Sequence, residues 1–66
     1  MRVHVNGEQR EFATAGTLAD VLAEHGTPEK GVAVALDDEV VPRAAWADTQ
    51  VADGARVEIM TAVPGG

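Results

Sequence analysis

Polar and apolar residues alternate at the start of the chain. Arg2, His4 and Asn6 fall on one side, and Val3 and Val5 on the other. A period of two predicts a half-buried strand. Asn6-Gly7 follows, and because both residues tolerate positive φ, the pair predicts a tight hairpin turn. A second strand is expected from about Gln9 to Ala13, with Phe12 inward. The pattern then changes period. Thr17 reads as a helix N-cap, with Asp20 three residues on in a capping-box position. Leu18, Val21 and Leu22 fall at i, i+3 and i+4, on one helical face. Gly26 suits the left-handed residue after a helix, and Pro28 prevents continuation.

Gly31 to Leu36 is an uninterrupted run of small apolar residues. It predicts a strand buried on both faces, although periodicity alone leaves a helix open. Asp37-Asp38 predicts a turn, and Val40-Val41 a short strand stopped by Pro42. Arg43 to Ala47 suits one helical turn carrying Trp46, and Asp53-Gly54 marks a further turn. The last strand is expected from Arg56 to Ala62. It places Val57, Ile59 and Thr61 on one side and Arg56, Glu58 and Met60 on the other.

This order (strand, strand, helix, strand, short strand, strand) constrains the fold. The first and last strands are separated by most of the chain, so no hairpin joins them. If both lie near the sheet centre, they pair in parallel. A single helix then covers one face of a mixed four- to five-stranded sheet, an α+β solution of the β-grasp, or ubiquitin-like, type. The expected core is Val3, Val5, Phe12, Leu18, Val21, Leu22, Val32, Val34, Leu36, Trp46, Val51, Val57 and Ile59. The expected division is a β-grasp domain over residues 1–62 and a flexible tail over 63–66.

Composition narrows the function. A 66-residue chain holds one domain at most, too small for both a core and a large enclosed active site. Five Lys+Arg against 11 Asp+Glu give a net charge of −6. That balance argues against nucleic acid and against an anionic membrane surface. No run approaches the length of a membrane span, and charges interrupt the first twenty residues, so no signal-peptide core is read there. There is no cysteine. This excludes a disulfide scaffold, a thiol nucleophile and a cysteine metal site, and a cytoplasmic location is expected.

Side chains offer little chemistry. His4 lies on the outward side of the first strand and His25 at a helix end, each without a nucleophile and carboxylate at useful spacing. Asp37, Asp38 and Glu39 lack the alternation, glycine and distal glutamate of a calcium loop and read as a solvated acidic turn. No bound metal or cofactor is expected. The remaining candidate is the main chain, which ends Gly65-Gly66 after an apolar strand. A terminal carboxyl has a pKa near ~3.5, so at neutral pH it is an anion and a poor electrophile. Activation requires a mixed anhydride, for which ATP is the usual reagent. An enzyme that encloses the terminus needs a thin, extended tail, which two residues without Cβ supply. Replacing Gly65 by a branched residue is expected to block activation and leave the fold intact.

Val41-Pro42-Arg43, Trp46, Asp53-Gly54, Val57-Glu58-Ile59, Ala62-Val63 and Gly65-Gly66 together resemble the sulfur carrier proteins of thiamine biosynthesis, the ThiS family. The resemblance covers essentially the whole chain. It implies that an ATP-dependent, E1-like adenylyltransferase adenylates the Gly66 carboxylate and that a sulfur donor system converts it to a thiocarboxylate. Thiazole synthase then receives the sulfur. Gly66 is the modified residue, and Gly65, Pro64 and Val63 form the threading tail. The chain is then a protein co-substrate and not an enzyme, monomeric when free, and ATP belongs to the activating partner. It departs from the family pattern at Ala55, where an acidic residue is common, and at Pro64, which stiffens the tail by fixing its own φ and restricting Val63.

The face left open by the helix, with Arg2, His4, Arg56, Glu58 and Met60, is the expected partner surface. Three other readings share the sequence. One is a sulfur carrier for molybdopterin synthesis, tRNA thiolation or cysteine synthesis. A second is a ubiquitin-like modifier forming isopeptide bonds, and a third is an interaction domain with an inert tail.

Overall fold

The computed structural model describes residues 1–13 and 16–61. Five strands and one α-helix follow in the expected order: β1 (Arg2–Val5), β2 (Glu8–Glu11), α1 (Leu18–His25), β3 (Val32–Leu36), β4 (Glu39–Val40), a 3-10 helix (Arg43–Asp48) and β5 (Arg56–Thr61). They form one sheet in the order β2-β1-β5-β3-β4. β1 and β5 run parallel at the centre, with His4 opposite Arg56 and Val5 opposite Val57. The other pairs are antiparallel. This is the mixed α+β, β-grasp arrangement that the element order implies.

Local chemistry sets each element. Asn6 and Gly7 take φ values of 51° and 83°, so the β1–β2 hairpin turns through two left-handed residues. Asp37 and Asp38 do the same between β3 and β4, at 49° and 72°. Aspartate tolerates this region because its short side chain can bond local backbone. At the start of α1, the Thr17 hydroxyl accepts the Asp20 N–H at 3.2 Å, and the Asp20 carboxylate accepts the Thr17 N–H at 3.1 Å. Both halves of the capping box are therefore present. Gly26 closes the helix at φ 86°, and its N–H and that of Thr27 return to the Leu22 carbonyl. Leu18 N–H donates to Thr49 O at 2.8 Å and Val51 N–H to Gly16 O at 3.0 Å, tying the helix start to the segment before β5.

The helix lays Leu18, Val21 and Leu22 on Val3, Val5, Val34 and Val57, with Phe12, Trp46 and Val51 closing the sides. Ten of the thirteen expected core residues are buried. Val32, Leu36 and Ile59 only pack against the core from its edge. An eight-residue helix is about 12 Å long, and it leaves the ends of the longer strands uncovered. Ala35 and Ala55, absent from the expected core, are buried at 6% and 7% exposure.

β3 is buried on both faces only at Val34 and Ala35, and not along its whole length as its composition suggests. Val32, Val34 and Leu36 alternate with Ala33, which is exposed, and Ala35. Ala35 is covered because it lies between Glu58 and Val40 on the neighbouring strands, whose longer side chains overhang its single methyl. Boundaries also differ. The second strand ends at Glu11, and Phe12 then turns into the core beyond it. The short strand is Glu39–Val40, one residue earlier than expected, although Val41 N–H still reaches Val34 O at 2.9 Å. Ala62, the expected end of the last strand, lies outside the described residues.

Candidate functional site

The Val-Pro-Arg-x-x-Trp element carries structure. Pro42 caps the 3-10 helix from an extended conformation at φ −64°, where its missing N–H leaves no donor unsatisfied. Trp46 is 7% exposed, and its indole N–H donates to Val41 O at 2.9 Å. The ring therefore seals one end of the core with its polar atom satisfied. Asp53-Gly54 is structural too. Asp53 accepts the Arg2 N–H at 2.7 Å, and Gly54 N–H donates to Arg2 O at 2.7 Å, so this turn fixes the start of β1 beside β5.

The pairing register brings Arg2, His4, Arg56, Glu58 and Met60 to the sheet face away from the helix. Arg2, Arg56, Glu58 and Met60 are exposed, and His4 is half-buried between its neighbours. Two of the cations are engaged: Arg2 with Glu11 at 3.5 Å, and Arg56 with Asp38. The acidic turn is likewise occupied, because Asp37 accepts the Arg56 N–H at 2.9 Å. Among the described residues no three histidine, aspartate or glutamate side chains converge as metal ligands.

The face divides into halves. Over β1 and β2 it is polar, with Gln9, His4 and Arg56 in one row. Over β3 and β4 it is apolar, with Met60 opposite Ala33, and Ala35 opposite Val40. Met60 and Val40 are 48% and 65% exposed. Sequence reasoning missed Val40 and Ala33. Nothing local distinguishes them from core residues, and only the β3–β5 and β3–β4 registers assign them to the outer face. A shallow concavity of about 600 Å³ lies on the polar half, lined by His4, Asn6, Gly7, Arg56, Val57 and Glu58. A second, of about 440 Å³, runs beside the end of β5, where Asn6, Ile59 and Thr61 meet Thr27, Lys30 and Val32. Gly66, Gly65, Pro64 and Val63 lie outside the described residues.

A five-stranded β-grasp sheet with an open, partly apolar face and a Gly-Gly sequence after its central strand defines a ubiquitin-like protein of the small-carrier class. Comparison with known proteins is specific. The profile of the ThiS family matches residues 3–66. The chain is 27% identical over 66 residues to the sulfur carrier protein ThiS of Escherichia coli K12, covering all of both chains. A crystal structure of the thiamine biosynthesis protein ThiS from Geobacter metallireducens superposes with a TM-score of 0.83 at 30% identity, again over all of both chains. The chain is also 36% identical over 66 residues to a thiazole synthase of Paramagnetospirillum magneticum, of whose length it spans 20%. The chain belongs to the ThiS family.

Proposed function

We propose that this protein is a sulfur carrier of thiamine biosynthesis whose reactive group is the carboxylate of Gly66. The supporting observation is the end-to-end match to the Escherichia coli sulfur carrier, which reaches through Gly66. The carboxylate attacks the α-phosphorus of ATP on an E1-like adenylyltransferase, forming the acyl-adenylate and releasing pyrophosphate. A sulfide-level nucleophile from the donor system then displaces AMP, leaving the terminal thiocarboxylate. Thiazole synthase receives the sulfur. The similarity to a thiazole synthase chain favours this receiver over molybdopterin, tRNA or cysteine pathways.

The roles proposed for the residues rest on chain chemistry. Gly66 bears the adenylate and then the sulfur. Gly65 has no Cβ and can adopt backbone torsions closed to other residues, which suits threading. Pro64 and Val63 stiffen the approach. The outer face, with Arg2, His4, Arg56, Glu58 and Met60, docks on the activating enzyme and on the synthase. Methionine suits a surface that must fit two partners, because its thioether chain is flexible and polarizable.

The test is the intact mass of the protein purified from its native host, with fragmentation of its C-terminal region. Replacing oxygen by sulfur changes the mass almost as methionine oxidation does, so the added mass must be localised to Gly66 and not to Met1 or Met60. Added mass on Gly66, sensitive to thiocarboxylate-selective alkylation, is the expected result. An unmodified Gly66 that persists with ATP, an E1-like enzyme and a sulfur donor would overturn the reading. Larger covalent species, in place of the thiocarboxylate, would make the chain a modifier.

A further inference from the structure

The central strand is held at two points by residues that have just left a neighbouring strand. At its start, Asp37 N–H donates to Arg56 O at 2.8 Å, and Asp37 Oδ1 accepts Arg56 N–H at 2.9 Å. Further along, at the fourth of its six residues, Asn6 grips Ile59 with its side chain alone. Oδ1 accepts Ile59 N–H at 2.7 Å, and Nδ2 donates to Ile59 O at 3.3 Å. The Asn6 main-chain N–H meanwhile donates to Val57 O at 2.9 Å. The amide thus stands where the next peptide group of β1 would be. It continues the parallel ladder by one rung after β1 has turned away at φ 51°. A carboxylate in its place has no donor for the Ile59 carbonyl.

The rung lies two residues before the end of β5 at Thr61. On the other side, β3 pairs Ala33 with Met60 and Val32 with Thr61. On the β1 side, the Asn6 amide makes the last hydrogen bonds to the strand among the described residues, and residues 62–66 follow directly after Thr61. We infer that Asn6 is a positioning residue for the chemistry at Gly66, a role that rests on the sulfur-carrier reading. By holding Ile59 from the β1 side, it sets, together with the β3 pairing, the course of the strand that leads toward Gly66. Orientation of this kind acts as effective concentration at the enzyme's reacting centre. Both bonds to Ile59 are exposed, so water satisfies the freed groups when the amide is removed.

The test compares wild type, Asn6→Gly and Asn6→Asp as full chains, in pyrophosphate release by the ATP-dependent activating enzyme. Glycine keeps the left-handed turn and loses both bonds. Aspartate keeps the acceptor and loses the donor. Asn6→Gly is expected to lower kcat about tenfold, and Asn6→Asp roughly two- to threefold, with KM nearly unchanged. In the free protein, exchange of the Ile59 amide hydrogen should quicken in Asn6→Gly while that of the core remains slow. The kinetics are taken well below the melting temperature of each variant, so the chain is folded throughout, and slow exchange of the core amides separates local loosening at Ile59 from global destabilisation. An Asn6→Gly kcat within twofold of wild type overturns the role. So does a raised KM at unchanged kcat, which would make Asn6 a docking contact. A wild-type chain that no activating enzyme adenylates overturns the sulfur-carrier reading and this inference with it. An active wild type beside an unaffected variant overturns only the inference.

Discussion

The two faces of the sheet are built by the same strands and answer to different demands. On the helix side, Val3, Val5, Val34 and Val57 are 0–2% exposed. On the other side most of the alternate residues reach solvent, Ala35 and the half-buried His4 excepted, with Met60 at 48% and Val40, on the edge strand, at 65%. Burying a large aliphatic side chain stabilises by roughly 1.5–3 kcal/mol, so the inner face supplies most of the driving force for folding. The outer side chains are largely solvated before and after folding. Their identity is free to be set by what the face meets.

The largest effect should therefore follow a change on the inner side. Leu18 is fully buried at the helix start. Leu18→Ala is expected to cost about 2–5 kcal/mol, from lost burial and the cavity left behind. A domain of this size has roughly 3–10 kcal/mol in total, so the variant should be partly unfolded at ordinary temperature. Urea denaturation measures it. A loss below about 1 kcal/mol would mean that the helix is a minor part of the core.

Opposite behaviour is expected across the sheet. Met60→Asp and Glu58→Lys should change stability by less than about 1 kcal/mol, since both positions are exposed and the strand scale spans no more. Affinity for the activating enzyme should fall about tenfold or more, because one variant places a charge in the apolar half and the other reverses a charge beside it. Titration calorimetry separates the outcomes. Unchanged affinity in both variants would remove the outer face from the docking surface.

The inner face was largely legible in the sequence and the outer face only in part, for a physical reason. Burial imposes a period: Val3 and Val5, Leu18, Val21 and Leu22, and Val57 each stand out from polar neighbours. The two turns were legible because Asn-Gly and Asp-Asp suit left-handed backbone. Local alternation assigned Arg2, His4, Arg56, Glu58 and Met60 to the outer face, but for the all-apolar β3 and for β4 membership depends on register with other strands, and no local pattern reports it. Ala33, Ala35 and Val40 show this. They are similar apolar residues, yet one is exposed, one is covered by cross-strand neighbours and one is the most exposed large hydrophobic residue described. The role of Asn6 was half legible. The turn was expected, but the grip on Ile59, 53 residues away in sequence, requires the fold.

A smaller effect belongs to the helix cap, which sharpens the contrast by separating helix formation from burial. Thr17→Ala removes the hydroxyl that accepts the Asp20 N–H. The expected cost is about 1 kcal/mol, with the urea dependence unchanged because no core surface is altered. Thr17→Ser should recover most of it. A cost as large as that of Leu18→Ala would show that the cap and the core unfold as one unit.

The smallest effect is a pH dependence at the same cap. The pKa of the Asp20 carboxyl lies below its ordinary value of 3.8 because it accepts the Thr17 main-chain N–H, helped by the Thr17 side chain; desolvation opposes the shift and the Gly16 N–H adds to it. A folded-state pKa below the unfolded one means that the ionised form favours the folded chain. This contribution is fully present above the unfolded value near pH 4 and is lost as pH falls through the folded value. Asp20→Asn removes the titration and keeps an acceptor oxygen. The urea midpoints of wild type and Asp20→Asn should therefore be furthest apart at pH 6–7 and converge below about pH 4. The two proteins share every other side chain, so the difference isolates Asp20. A constant difference from pH 7 to pH 2 would show that the cap stabilises the helix through hydrogen bonding alone, without a contribution from the charge.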